Sequence, residues 1–280
     1  MKDLLSISIN CFFPLANSIV ARASIGKSKK VDAVVAFMQR TMELATGLSV
    51  ADLFPSLKFL PVITGLKAKL EKLHQVGDSI LQEVLTEHTE KNMRRSQDAN
   101  EAYQEDLVDV LLRIQKENDL EIHVSDDTIK SIIQDMFFDA TETTATILEW
   151  AMSELLRNPE TMEEAQAEVR KVFGSKGQIE ESELHKLKYI DAVIKETLRL
   201  HPPLPLLVLR ENSERCEING YEIPCKSRVI VNARTPGRDP KYWKEADKFQ
   251  PQRFLDTSSD YNFRAWIMST FHLVWKEDMS

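Results

Sequence analysis

The stretch that most constrains this chain runs from Ser125 to Pro159. It opens on "SDDT", a hydroxyl that can accept a backbone N–H followed by two acids where a helix dipole favours them. Behind it Ile129, Ile132, Ile133, Met136, Phe137, Ile147, Leu148, Ala151 and Leu155 recur every three or four residues, until "RNP" stops the pattern. The spacing predicts one helix of roughly eight turns at about 3.6 residues per turn. Apolar residues occupy much of its circumference, so this helix is expected to lie at the centre of the fold with other elements packed around it.

The remaining segments suit that role. Helical periodicity predicts helices over 31–47, 66–95, 105–117, 160–172 and 189–200, the first stopping at Gly47. In the 66–95 helix, Leu66, Leu70, Leu73, Val76, Ile80, Val84 and Leu85 form the expected apolar stripe. "DLFPSLKFLPVITG" (52–65), with two prolines, reads as an apolar connecting loop, and the polar run 87–106 as a solvated helix end and loop. After "HPPLP" (201–205) the character changes to short β-branched runs, "LLVLREN", "CEINGYEIP" and "RVIVNA", with Asn219-Gly220 as a turn. The fold class is therefore mainly α with a small β-sheet region.

Composition narrows the function. The 280 residues carry 36 Lys and Arg against 44 Asp and Glu, a net charge of −8, which argues against nucleic-acid binding through a basic face. Cys11, Cys216 and Cys225 have neither CxxC spacing nor paired histidines, which argues against a zinc site. The apolar opening "MKDLLSISINCFFPLANSIVARASIGK" is interrupted by Ser6, Asn10, Pro14 and Asn17 and is too short and broken to predict a membrane span.

Three short motifs carry chemistry. In "FFDATETTATILEW" (137–150) Glu142 and Thr143 place an acid beside a hydroxyl in mid-helix, where threonines can bond backward to a carbonyl and loosen the turn. A buried helix with satisfied hydroxyls has the same pattern. In "KETLRLHPPLP" (195–205) Glu196 and Arg199 share a helix face. A surface ion pair there would be worth only a few tenths of a kcal/mol; the flanking Leu198 and Leu200 and the apolar run behind them argue for burial instead. In "FQPQRF" (249–254) Arg253 lies between aromatics, where five guanidinium donors could join an existing Glu–Arg pair.

Taken together, the motifs resemble those of plant A-type cytochromes P450. "DATETT" is similar to the family's oxygen-activation motif, "ETLR" to its Glu-x-x-Arg motif, and "FQPQRF" to its Phe-x-Pro-Glu-Arg-Phe segment. "GRDPKYW" (237–243), "NSIVARASIGK" and "DLFPSLKFL" read like the same group, and the likeness covers about residues 15–262. The resemblance implies the cytochrome P450 fold, a haem iron cofactor, and oxygen insertion into a small lipophilic plant metabolite. An NADPH–cytochrome P450 reductase would supply the electrons, at the cytosolic face of the endoplasmic reticulum membrane. It implies that Glu142 and Thr143 deliver protons, that Ala140 lies next to the haem, that Arg210 pairs with a haem propionate, and that Glu196, Arg199 and Arg253 form a structural triad. The loop 48–65 would border the substrate entrance.

The departures matter as much. Asp139 and Ala140 stand where the family has a small residue and glycine, and Arg234, Thr235 and Pro236 stand in a normally apolar run. The likeness implies a domain truncated at both ends, 1–262, without the family's N-terminal anchor and so soluble by its own sequence. The segment 263–280 is an aberrant tail. No cysteine follows Cys225, so the axial metal ligand that the family places after its Pro-x-Arg-Phe segment is missing. Back-translation suggests why. Read one base earlier, "WIMSTFHLV" (266–274) can encode Asp-Asn-Glu-Tyr-Ile-Pro-Phe-Gly. Read from one base into Trp275, "WKEDMS" can encode Gly-Arg-Arg-Ile-Cys-Pro. The tail is thus expected to be the haem loop out of frame, and the chain as written an inactive member of a monooxygenase lineage. The alternative is a non-enzymatic pseudogene product or helical interaction protein.

Overall fold

In the computed structural model the 125–159 signal becomes one continuous helix, Asp126–Arg157. Ser125 caps it, its hydroxyl accepting the Thr128 N–H at 3.2 Å. The structure describes residues 2–45, 63, 65–95, 105–117, 124–174, 180–218 and 220–255. In chain order the helices are α1 (Lys2–Ser24), α2 (Val31–Ala45), α3 (Leu66–Arg95), α4 (Leu107–Glu117), α5 (Asp126–Arg157), α6 (Pro159–Phe173) and α7 (Lys188–Leu200). Among the described residues, four short strands follow: β1 (Arg210–Glu211), β2 (Cys216–Ile218), β3 (Tyr221–Ile223) and β4 (Arg228–Val229). They form two antiparallel pairs, β1 with β4 and β2 with β3. In the β2–β3 pair Ile218 faces Tyr221.

The broken opening stretch is nevertheless helical, with Pro14 inside α1. None of the described helices is long and apolar enough to cross a membrane. The loop 52–65 lies almost wholly outside the described residues, and the tail 263–280 and its boundary at 262 lie entirely outside them.

The chain divides into two compact units, and α5 contributes to both. In the unit spanning 11–144, the first half of α5 packs Ile129, Ile133 and Phe137 against Val34 and Phe37 of α2, Leu81 and Val84 of α3, and Val108 of α4. Burying each such side chain contributes about 1.5–3 kcal/mol. Two expected stripes are narrower than the spacing suggests: Met136, Leu70 and Val76 are exposed. Along α3 the buried face begins near Gly77, because its core partners meet only the later turns of the helix.

In the other unit, Leu155 of α5 joins Ala165, Tyr189, Val193, Leu200 and Phe249 in a smaller core. Helix α7 has no side-chain cap of its own. The Glu168 carboxylate of α6 accepts the Tyr189 N–H at 2.8 Å and the Ile190 N–H at 3.0 Å instead, which satisfies the free first-turn donors and fixes α6 on α7.

Candidate functional site

Helix α7 presents Glu196 and Arg199 one turn apart on its buried face, 0% and 1% exposed. The pair is bidentate: Arg199 Nε donates to Glu196 Oε2 at 2.6 Å, and Nη2 to Oε1 at 2.7 Å. Nη1 donates to the carbonyls of Gly237 and Ala246, and Nη2 also to that of Lys248 at 3.1 Å. All five guanidinium N–H groups are therefore used, which is what a buried arginine requires.

The segment 236–254 is shaped around this side chain. A Cβ on Gly237 would lie 2.4 Å from the Arg199 carbonyl oxygen, so only glycine lets the backbone approach. Trp243 lies with its ring centre 5.1 Å from the guanidinium carbon, a cation–π distance, and its Nε1 donates to the Pro236 carbonyl at 2.9 Å. Arg253, on the 3₁₀ turn Pro251–Phe254, approaches Glu196 Oε1 with its Nε at 3.3 Å and donates to the Lys244 and Glu245 carbonyls. The Gln250 N–H adds a fourth donor to Glu196, at 2.8 Å. The structure thus brings Glu196, Arg199 and Arg253 together. Their hydrogen bonds tie irregular backbone to α7, and nothing in the arrangement exposes a group for proton or electron transfer.

The remaining expected residues are placed elsewhere. Ala140, Glu142 and Thr143 belong to the unit 11–144. Ala140 is partly buried against the apolar core, while Asp139 beside it points to solvent. Thr143 donates its hydroxyl back to the Asp139 carbonyl at 2.5 Å, the local competition with the helix ladder that mid-helix threonines invite. Glu142 is half-buried, and the buried Thr141 hydroxyl has no hydrogen-bond partner. Arg210 is exposed on β1, opposite Val229.

A thiolate-bound haem needs a cysteine aimed at the iron. Cys225 donates its thiol to the Ser213 carbonyl at 3.0 Å, Cys216 faces Ile223 within the β2–β3 pair, and Cys11 is exposed on α1. The donor set present in these 280 residues does not fit the group.

One arrangement had no motif to announce it. His201, just past the end of α7, stacks on Trp150 with ring centres 3.9 Å apart and bonds the Glu154 carboxylate at 2.9 Å. That hydrogen bond holds the Glu154 carboxyl below its ordinary value against the opposing effect of burial. The four-residue spacing of Trp150 and Glu154 was visible; a histidine 47 residues downstream of Glu154 as their partner was not.

Comparison with known proteins places these features. The family model described as Cytochrome P450 matches residues 3–267. Over 250 residues the chain is 51% identical to Cytochrome P450 71D10 of Glycine max, covering 89% of this chain and 48% of that protein. It is 48% identical to Tabersonine 16-hydroxylase 1 of Catharanthus roseus, covering 88% of this chain and 49% of the relative. The chain thus spans about half the length of the curated relatives it matches. A zebrafish cytochrome P450 solved with progesterone superposes with a TM-score of 0.70 at 24% identity, over 88% of this chain and 55% of that structure.

Proposed function

Because the chain belongs to the cytochrome P450 family, we propose that it carries about half the scaffold of a plant haem-thiolate monooxygenase. The parent reaction inserts one oxygen atom into a small lipophilic metabolite at the endoplasmic reticulum, with electrons from an NADPH-dependent reductase. The observation that carries this reading is the Glu196–Arg199–Arg253 network, assembled from the two segments in which the family's motifs lie. Its role is structural: it holds 236–254 against α7. Glu142 and Thr143 are assigned to proton handling by their place in the "DATETT" motif, Ala140 to a position beside the haem, and Arg210 to pairing with a haem propionate.

The missing cysteine supports a second statement about the 280 residues themselves. Without a thiolate donor they do not form the family's haem complex, and alone they are a non-catalytic remnant of the lineage. Two measurements separate the statements. Sequencing the transcript across codons 255–280 and beyond is expected to restore Ile-Pro-Phe-Gly and a Gly-Arg-Arg-x-Cys loop with one or two bases. A clean reading of "FRAWIMSTFHLVWKEDMS" overturns the frame explanation. Haem titration of the purified chain is expected to give no thiolate-type ferrous carbonyl band; such a band overturns the remnant reading.

A further inference from the structure

Away from the motifs, in the unit 11–144, lies a second buried charge cluster. His88 of α3 is 1% exposed, Asp106 7% and Asp109 3%, and their facing nitrogen and oxygen atoms lie within 4.8 Å of one another. Asp106 and Asp109 cap the start of α4 reciprocally. The Asp109 N–H donates to Asp106 Oδ1 at 3.0 Å and the Asp106 N–H to Asp109 Oδ2 at 3.3 Å. Asn92 donates to Asp109 Oδ1 at 3.1 Å. These atoms already have partners within the protein, so the cluster is a hydrogen-bond network rather than a cation site.

Counting donors fixes its protonation. His88 Nδ1 lies 2.9 Å from the Val84 carbonyl, which can only accept, so Nδ1 carries a hydrogen. His88 Nε2 lies 3.0 Å from Asp106 Oδ2, and a carboxylate oxygen also only accepts. A neutral ring with a hydrogen on Nδ1 would set a lone pair against a carboxylate in a buried site. One further proton must therefore lie between Nε2 and Oδ2. Its other side has no room for a side chain: a Cβ at Gly26 (φ +57°), in the turn between α1 and α2, would come within 2.3 Å of Asp106 Oδ2.

We propose that this single buried proton, shared by His88 and Asp106, latches α3 to the capped start of α4 beneath the α1–α2 turn, and that its loss to solvent at alkaline pH releases the latch. Burial by itself would push His88 down. The Asp106 hydrogen bond, the Val84 carbonyl and the Asp106 and Asp109 charges outweigh burial and hold the imidazole above its ordinary value. For Asp106, burial would push the carboxyl up; the His88 hydrogen bond and charge and the Asp109 hydrogen bonds outweigh it and hold the carboxyl below its ordinary value. The sign follows. The His88 contribution is complete below its unfolded value near 6.5 and is lost as pH rises through the higher folded value. The Asp106 contribution is present above its ordinary range and is lost as pH falls through the lower folded value.

Among the described residues, Asp106 and Asp109 are the charges that act on the ring. Several neighbouring charges on the packed elements are engaged elsewhere. On α3, Glu87 pairs with Lys91 at 2.9 Å and accepts the Ser28 hydroxyl and Lys29 N–H of the α1–α2 turn. Lys30 pairs with Glu83, Glu105 with Arg113 at 3.2 Å, and Lys130 of α5 with Asp78 at 2.6 Å.

The test is a pH series of imidazole nitrogen spectra on the ¹⁵N-labelled full chain, with the His88 signal identified by its loss in His88→Gln. The expected result is an imidazolium spectrum at pH 7 that turns neutral only well above it, and a neutral ring with Nδ1–H at pH 7 in Asp106→Asn. A neutral His88 at pH 7 in the parent chain overturns the proposal, as does an imidazolium that persists in Asp106→Asn. If His88→Gln does not fold, amide exchange gives the second readout. Protection of the Asp109 N–H should drop by roughly tenfold beyond the intrinsic pH effect as the ring loses its proton; protection unchanged across that range overturns the latch.

Discussion

The two buried charge networks solve one problem in opposite ways. At the Glu196–Arg199 network the cation is a guanidinium that stays charged at any ordinary pH, and all five of its donors are matched. At the His88–Asp106 network the cation is an imidazole whose charge depends on one proton. The first is built to be insensitive and organises backbone that has only short 3₁₀ turns of its own. The second closes a junction between regular helices, where the cap already supplies part of the order. A network that must hold irregular chain uses a permanent charge; one that adds to an existing cap can depend on a titrating group.

The comparison is broken most severely at Arg199. Arg199→Ala leaves the fully buried Glu196 with reduced compensation and several carbonyls bare. A loss of roughly 3–5 kcal/mol is expected, read by denaturant unfolding of the full chain, and it should not vary between pH 6 and 9. Arg199→Lys should recover only part of it, because three donors on a flexible stem cannot replace a planar fork of five. Asp106→Asn should cost less, about 1–3 kcal/mol at pH 7, because an amide can still donate to the ring. Its signature is in the slope: the parent loses stability above neutral pH as His88 deprotonates, and the variant does not.

A smaller effect is expected where the two styles meet, at Trp150, Glu154 and His201. Glu154→Gln should cost about 1 kcal/mol near neutrality, since the amide retains one bond and loses the charge. Because the His201 hydrogen bond holds the Glu154 carboxyl low, the parent's advantage is present above the ordinary carboxylate range. It should vanish as acid titration passes the lower folded value. The smallest effect belongs to the exposed Lys195–Asp191 pair, 2.7 Å apart on the solvent side of α7. Asp191→Ala should change stability by about 0.2–0.5 kcal/mol, and added salt should erase the difference.

Local patterning determined much of this protein. Helix α3 spans the 66–95 expected of it, and Ser125 caps α5 as its sequence announces. Such elements are legible because caps and periods act between residues a few positions apart. The Glu196–Arg199 pairing was legible for the same reason, lying within one helical turn.

Tertiary structure alone decided which stripes are covered, leaving Met136, Leu70 and Val76 in solvent although they match the apolar period. It alone matched Arg199 to the carbonyls of Gly237, Ala246 and Lys248, and joined His88 to Asp106, 18 residues away across the end of a helix. Those contacts depend on where the chain returns after a loop, and no local propensity encodes that return. The sequence could also show that no cysteine follows Cys225, whereas only the fold showed that Cys225 is occupied with the Ser213 carbonyl. The reason is general to both networks: covalent neighbours fix which groups are present and their local spacing, and packing fixes which of them lose water together.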